Sequence, residues 1–189
     1  YMSNFNLNTV VFQNAVPVKT HTPDRTSPKL ENFKLDMDGS PTLTLTFSET
    51  MDASTIKAFQ FTLQSEKVHS AFIYKDVDSF SVLGSGSGLP LDPNSASIDG
   101  FHHLLDGEIS AVDSDIVTIE LSFADANAIR KDVALGFDIS SSWLGVQNEA
   151  RDMNDNVIVE IRGDQGALKA SDFLVDETAP KLTSFDLDM

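Results

Sequence analysis

The sequence predicts an all-β, antiparallel sandwich with one short helix and a long inserted loop. Three observations carry that reading: short runs in which apolar and polar residues alternate, turn-forming residues between those runs, and a single stretch of helical composition. Several short strands punctuated by turns build a sandwich, whereas strands alternating with long helical stretches build a parallel sheet.

Taken in order, Phe33, Leu35 and Met37 alternate with Lys34, Asp36 and Asp38. A period of two with one polar face is a half-buried strand. Gly39-Ser40-Pro41 then predicts a turn. Leu43, Leu45 and Phe47 alternate with Thr42, Thr44 and Thr46, the strongest strand signal in the chain. Phe59, Phe61 and Leu63 repeat the pattern, as do Val117, Ile119 and Leu121. Two further strands are expected around Ile139 to Val146, including Trp143, and over Val157 to Ile161. The expected core is Leu43, Leu45, Phe47, Phe61, Val117, Ile119, Leu121 and Trp143. Ser122 reads as an N-cap for a helix over Ala124 to Lys131, with Asp125 in its first turn and Arg130 and Lys131 at its last. Those charges suit the two ends of the helix dipole. Residues 76–106 differ in composition: Gly84-Ser85-Gly86-Ser87-Gly88 is flexible and Leu89 to Asn94 is turn-rich. This stretch reads as a long loop or hairpin extension, either a tolerated insertion or a functional loop.

The sequence also repeats itself. Residues 24–37 (DRTSPKLENFKLDM) recur as residues 176–189 (DETAPKLTSFDLDM), with nine of fourteen positions identical and no gap, at an offset of 180 − 28 = 152. At the same offset Asn4 to Thr9 lies over Asn156 to Ile161, and Ala15 over Ala167. Residues 1–23 therefore read as the C-terminal part of a preceding repeat, 24–175 as one complete repeat, and 176–189 as the start of the next. The chain reads as a window from a longer protein. Phe5 and Leu7 at one end, and Phe185, Leu187 and Met189 at the other, form apolar faces for which one sandwich has no vacant place. Such edges are expected to pair head-to-tail with neighbouring copies of the same repeat.

Composition restricts the chemistry. With 29 acidic and 13 basic residues the formal net charge is −16, so neither nucleic acid nor an anionic membrane surface is an expected partner. The acids serve solubility, and they attract divalent cations. There is no cysteine, which removes disulfides, thiolate zinc sites and cysteine nucleophiles. No apolar run approaches the roughly 20 residues of a membrane-spanning helix. No nucleophile elbow, phosphate loop or zinc-protease motif occurs. Paired carboxylates are abundant, but composition alone explains them, and one Trp and two Tyr offer little sugar-stacking surface. No enzyme is expected. His102-His103 reads as a solvated loop pair, because adjacent strand residues face opposite sides and cannot easily chelate one ion. Oxygen-rich loops suit calcium better. Candidate clusters are Asp36/Asp38, Asp76/Asp78, Asp113/Asp115 and Asp152 to Asn156. The set singled out as an inter-repeat calcium site is Asp152, Asp155 and Asn156 with the linker acid Asp176.

The segment Phe47-Ser48-Glu49-Thr50-Met51-Asp52-Ala53-Ser54-Thr55-Ile56 resembles the Phe-Ser-Glu-x-Met-Asp-x-Ser-Thr-Ile stretch of SbsA-type bacterial Ig-like domains. The openings Asp24-x-Thr26-x-Pro28 and Asp176-x-Thr178-x-Pro180 are similar to the start of those repeats. Asp152 to Asn156 resembles their Asp-x-x-Gly-Asn loop, with Asp155 in place of the glycine. Leu121 to Arg130 resembles the helical segment of a longer variant found in tandem in large extracellular proteins of algae and other microbial eukaryotes. The resemblance covers most of 24–175 outside 76–106, and implies an Ig-like Greek-key sandwich in a tandem array, with no catalytic residues. The expected role is a structural, non-catalytic repeat of an extracellular or cell-surface filament, stalk or appendage. The alternative is an adhesin module that binds carbohydrate or a surface protein through the 76–106 insertion, presenting Phe101, His102 and His103 at its tip.

Overall fold

The computed structural model describes residues 19–68, 72–76, 79–83, 97–98, 100–110, 112–179, 181 and 184–186. The expected tail strand at 4–9, His69, Asp78, the glycine run 84–88 and the pair Leu187 and Met189 lie outside them.

The described strands, numbered along the chain, are β1 (Leu30–Asp36), β2 (Thr42–Met51), β3 (Phe61–Gln64), β4 (Phe72–Asp76), β5 (Ser79–Leu83), β6 (Ser97–Ile98), β7 (Phe101–His103), β8 (Gly107–Ile109), β9 (Ser114–Leu121), β10 (Trp143–Val146), β11 (Leu168–Lys169) and β12 (Asp172–Leu174). One five-stranded sheet runs β12-β1-β2-β9-β8 and a second runs β11-β10-β3-β7-β6, while β4 and β5 form a separate hairpin. The structure is thus mostly β. The pairings are antiparallel except for β12, which lies parallel to β1 through Lys34 opposite Asp172 and Leu35 opposite Phe173. Two helices are described, α1 (Phe123–Lys131) and the single turn α2 (Gly163–Gly166). Neither is long and apolar enough to cross a membrane.

The first sheet is built on the alternation in β2. Leu35 pairs with Leu43 and Leu43 with Ile119; Phe33 pairs with Leu45 and Leu45 with Val117. Cross-strand partners share a sheet face, so these become two apolar rows across three strands, all six side chains fully buried. The opposite face carries Thr44 beside Thr118. In the second sheet Leu144 pairs with Leu63 and Val146 with Phe61. Both sheets feed one hydrophobic cluster, joined by Met51, Ile56, Leu104, Ile129 and Leu135. The arrangement is sandwich-like, as the alternation predicts.

Several expectations change. Trp143 is not in the core: Leu144 and Val146 take the inner face of β10, and the indole lies half-exposed with its N–H bonded to the Ser140 carbonyl at 2.8 Å. Ile139 falls in a short 3-10 turn before that strand. Val157 to Ile161 forms no continuous strand. Val157 bridges to Arg151 and Ile161 to Val146, and the Val159 N–H bonds to the Pro28 carbonyl at 2.9 Å, so the segment changes partner every second residue. The 76–106 region is not one loop. It contributes the hairpin partner β5, and β6 and β7 belong to the second sheet. Phe101, His102 and His103 are fully buried in β7, so they cannot form an exposed binding tip. The sequence did not betray this strand because both of its faces are covered, which erases the alternation that marks a half-buried strand.

The two apolar rows give a direct test. Leu45→Ala is expected to cost about 2–5 kcal/mol in chemical denaturation, whereas Thr44→Ala, on the opposite face of the same strand, changes stability by about 0.5 kcal/mol or less.

Candidate functional site

Three carboxylates converge at one end of β2. The main-chain bond from Ser48 to Lys29 (2.9 Å), and that from Lys29 to the Ser48 hydroxyl (3.0 Å), lay the segment before β1 across this end. From the other side, Met51 bridges to Asp152, and the Asp52 N–H bonds to the Arg151 carbonyl at 2.9 Å, seating the 150–156 loop there. Oxygen atoms of Asp24, Glu49 and Asp152 then lie within 4.8 Å of one another, with Asp24 exposed, Glu49 half-buried and Asp152 buried. Partial burial, reinforced by the neighbouring Asp24 and Asp152 carboxylates, pushes the Glu49 carboxyl up. Burial works in the same direction on Asp152, but the Asn156 side chain and the main-chain N–H groups of Asn156 and Asn154 outweigh it and hold that carboxyl below the usual range. A buried anion, a half-buried carboxylate and an exposed one form a hard-oxygen donor set that could hold a divalent cation such as calcium.

This set shares only Asp152 with the one read from the sequence. Asp152 organises its own loop: Oδ1 accepts from Asn154 N–H (2.7 Å) and Asn156 N–H (2.8 Å), and Oδ2 from Asn156 Nδ2 (2.7 Å). Asn156 is therefore a donor to Asp152. The Asp155 carboxylate pairs with Arg151 at 3.1 Å. Asp155 has φ +69°, the left-handed conformation that glycine adopts without strain. The loop thus keeps the backbone form that a glycine there would favour. Asp176 lies at the other end of β2, with Oδ2 2.8 Å from Arg130 Nε. A ten-residue strand, about 30 Å long, separates the two ends. The carboxylate that does reach Asp152 is Asp24, the counterpart of Asp176 one repeat interval upstream. Glu49 was missed because nothing in the spacing of residues 24, 49 and 152 announces that they meet.

The other sequence-derived clusters serve as hydrogen-bond acceptors: Asp36 caps its own turn by accepting from Asp38 N–H (2.9 Å), and Asp113 accepts from Ala53 N–H (3.0 Å).

The histidines have a different role from the one the sequence suggested. His102 Nε2 lies 2.7 Å from Asp125 Oδ1, and both residues are fully buried. The same carboxylate accepts from Leu105 N–H, Asp106 N–H and the Ser122 hydroxyl. Ser122 in turn caps α1 by accepting from Asp125 N–H at 3.1 Å, as its position predicts. Burial alone would raise the Asp125 carboxyl, but the bonds from His102, Ser122, Asp106 and Leu105 prevail and hold it below the usual carboxylate range. His103 faces the opposite way and shares a 3.1 Å hydrogen bond with Thr62. The pair is buried rather than solvated, and its rings point apart as strand geometry requires. Because Ser122 donates to Asp125 and not to His102, the three residues form no nucleophile–base pair.

Two outcomes follow. Asp125→Ala leaves several buried donors without an acceptor and should cost about 3–5 kcal/mol. The depressed Asp125 carboxyl contributes stability that is present above the unfolded value of about 4 and is lost as pH falls through the folded value. The gap in melting temperature between the wild-type chain and Asp125→Asn should therefore narrow below about pH 4. For the acidic triad, calcium at a hundredfold excess over its dissociation constant should add about 2.7 kcal/mol. EDTA should reverse this, and Glu49→Gln should abolish the increment; an unchanged melting curve with calcium would remove the site.

No protein-family model, curated protein or solved structure matches this chain.

Proposed function

We propose that residues 24–175 are one unit of a tandem array, a structural and non-catalytic repeat of an extracellular filament, stalk or surface appendage. The observation that carries this reading is the recurrence of Asp24 to Met37 as Asp176 to Met189 at an interval of 152 residues. The two copies also share a local geometry. Thr26 N–H bonds to Asp24 Oδ1 at 2.9 Å, and Thr178 N–H bonds to Asp176 Oδ1 at 3.1 Å. Both sheets are built from residues between Leu30 and Leu174. Residues 19–27 and the described residues from Asp176 onward join neither sheet. This supports the division at 24 and 176.

The resemblance to SbsA-type Ig-like repeats supplies the finer fold assignment, an Ig-like Greek-key sandwich, and the cell-surface setting. The acidic balance and the Asp24, Glu49 and Asp152 triad support calcium as a stiffener where the linker meets its domain. The adhesin alternative loses its best residues, since Phe101, His102 and His103 are buried.

Antibodies raised against residues 24–175 should label intact cells of the source along an extracellular structure, at a spacing set by the repeat. Labelling that requires permeabilisation would contradict the assignment.

A further inference from the structure

We infer that the linker turn Asp-x-Thr is gripped from both sides, and that Arg130 of one repeat sits against the acidic triad of the next. The inference rests on the tandem reading proposed above and deepens it by naming the interaction surface and its partner, a second copy of this repeat.

The chain presents the same turn twice, once on either side of the described sheets. Each end shows one half of the joint. At the downstream end, Asp176 Oδ2 lies 2.8 Å from Arg130 Nε, and both side chains are mostly covered. Arg130 Nη2 donates to the Met37 carbonyl at 2.7 Å, so the guanidinium is tied to the end of β1. Asp38 Oδ1 accepts from the Thr178 hydroxyl at 2.7 Å and from Glu177 N–H at 3.3 Å. At the upstream end, the equivalent acid Asp24 meets Glu49 and Asp152. In both places the turn closes on itself through the same threonine N–H.

Laying one turn on the other merges the halves. The linker carboxylate then lies between Arg130 of the preceding repeat and Glu49 and Asp152 of the following one. Charge complements this placement: three carboxylates crowd the triad, and the preceding repeat delivers a guanidinium to one of them. Next to Arg130 the preceding repeat also exposes apolar side chains, Phe137 (72% exposed) and Val175 (50%). A groove lined by Met37, Ile129, Phe137 and Val175 adjoins Asp176. The following repeat would cover this surface, so the joint combines an ion pair with apolar contact and fixes the angle between repeats.

The test uses an in-register duplication in which residues 24–189 follow residue 175 of the full chain. The protein has no cysteine, so Glu66→Cys in each copy gives two defined spin-label positions. A narrow inter-label distance distribution is expected, and Arg130→Ala in the first copy should broaden it about twofold or more, toward the free domain motion that is otherwise the default. Arg130→Ala in the second copy controls for any effect on folding and should leave the width unchanged. In the single chain, Arg130→Ala should raise the fast mobility of the Thr178 amide. Equal broadening from either copy, or a broad distribution before mutation between two folded copies, would overturn the joint and leave the tandem reading standing. A second copy whose amide spectrum fails to match that of the single chain would overturn both.

Discussion

The buried Asp125 carboxylate is the constraint on which the arrangement of the two sheets depends. It sits in α1, which continues directly from β9 of the first sheet, and it accepts from His102 of β7 in the second. The N–H groups of Leu105 and Asp106, which lead from β7 to β8, close on the same two oxygens. One anion therefore fixes the point at which the chain leaves the second sheet, enters the first, and returns as a helix. Gly100, with φ +75°, begins this path, and its N–H is held by Asp132 at the C-terminal end of α1 at 2.8 Å. The helix is thereby clamped at both ends to the strand it covers, which places Ile129 in the core and Arg130 on the downstream rim. The rim position of Arg130 that the proposed joint needs is a consequence of this internal pair.

Much of the first sheet was legible in the sequence because it has one dry face and one wet face. Leu43, Leu45 and Phe47 against Thr42, Thr44 and Thr46 show their burial in their spacing. The helix was legible because Ser122 is an N-cap residue and because Asp125, Arg130 and Lys131 stand at the ends where their charges are favoured. The second sheet was harder to read. All four residues of β3 and all three of β7 are buried, polar ones included. Gln64 Nε2 donates to the carbonyls of Glu66 and Gly163, and His102 Nε2 bonds to Asp125. A buried polar residue with partners far along the chain has the same local signature as a loop residue. β12 was missed for a related reason. Its three residues gain their strand character only from lying parallel to β1, a pairing across more than a hundred residues.

The candidate cation site shows the same division. The sequence singled out the Asp152 to Asn156 loop and the acid Asp176, whereas the acid beside Asp152 is Asp24. The domain's own linker, carrying Asp24, crosses the end of β2, whereas Asp176 leaves from the other end beside Arg130. Glu49 joins because β2 delivers it to the same rim. Sequence spacing can identify a loop with ion-binding residues, but the strand that completes the donor set is chosen by the register of the sheet.

The account as a whole depends on residues 24–175 being the unit that repeats. Small-angle scattering from the in-register duplication measures this directly. The account predicts two separate domains held in an extended line, with a maximum dimension about twice that of a single domain. A compact particle, in which the residues around the junction are absorbed into one enlarged sandwich, would contradict it.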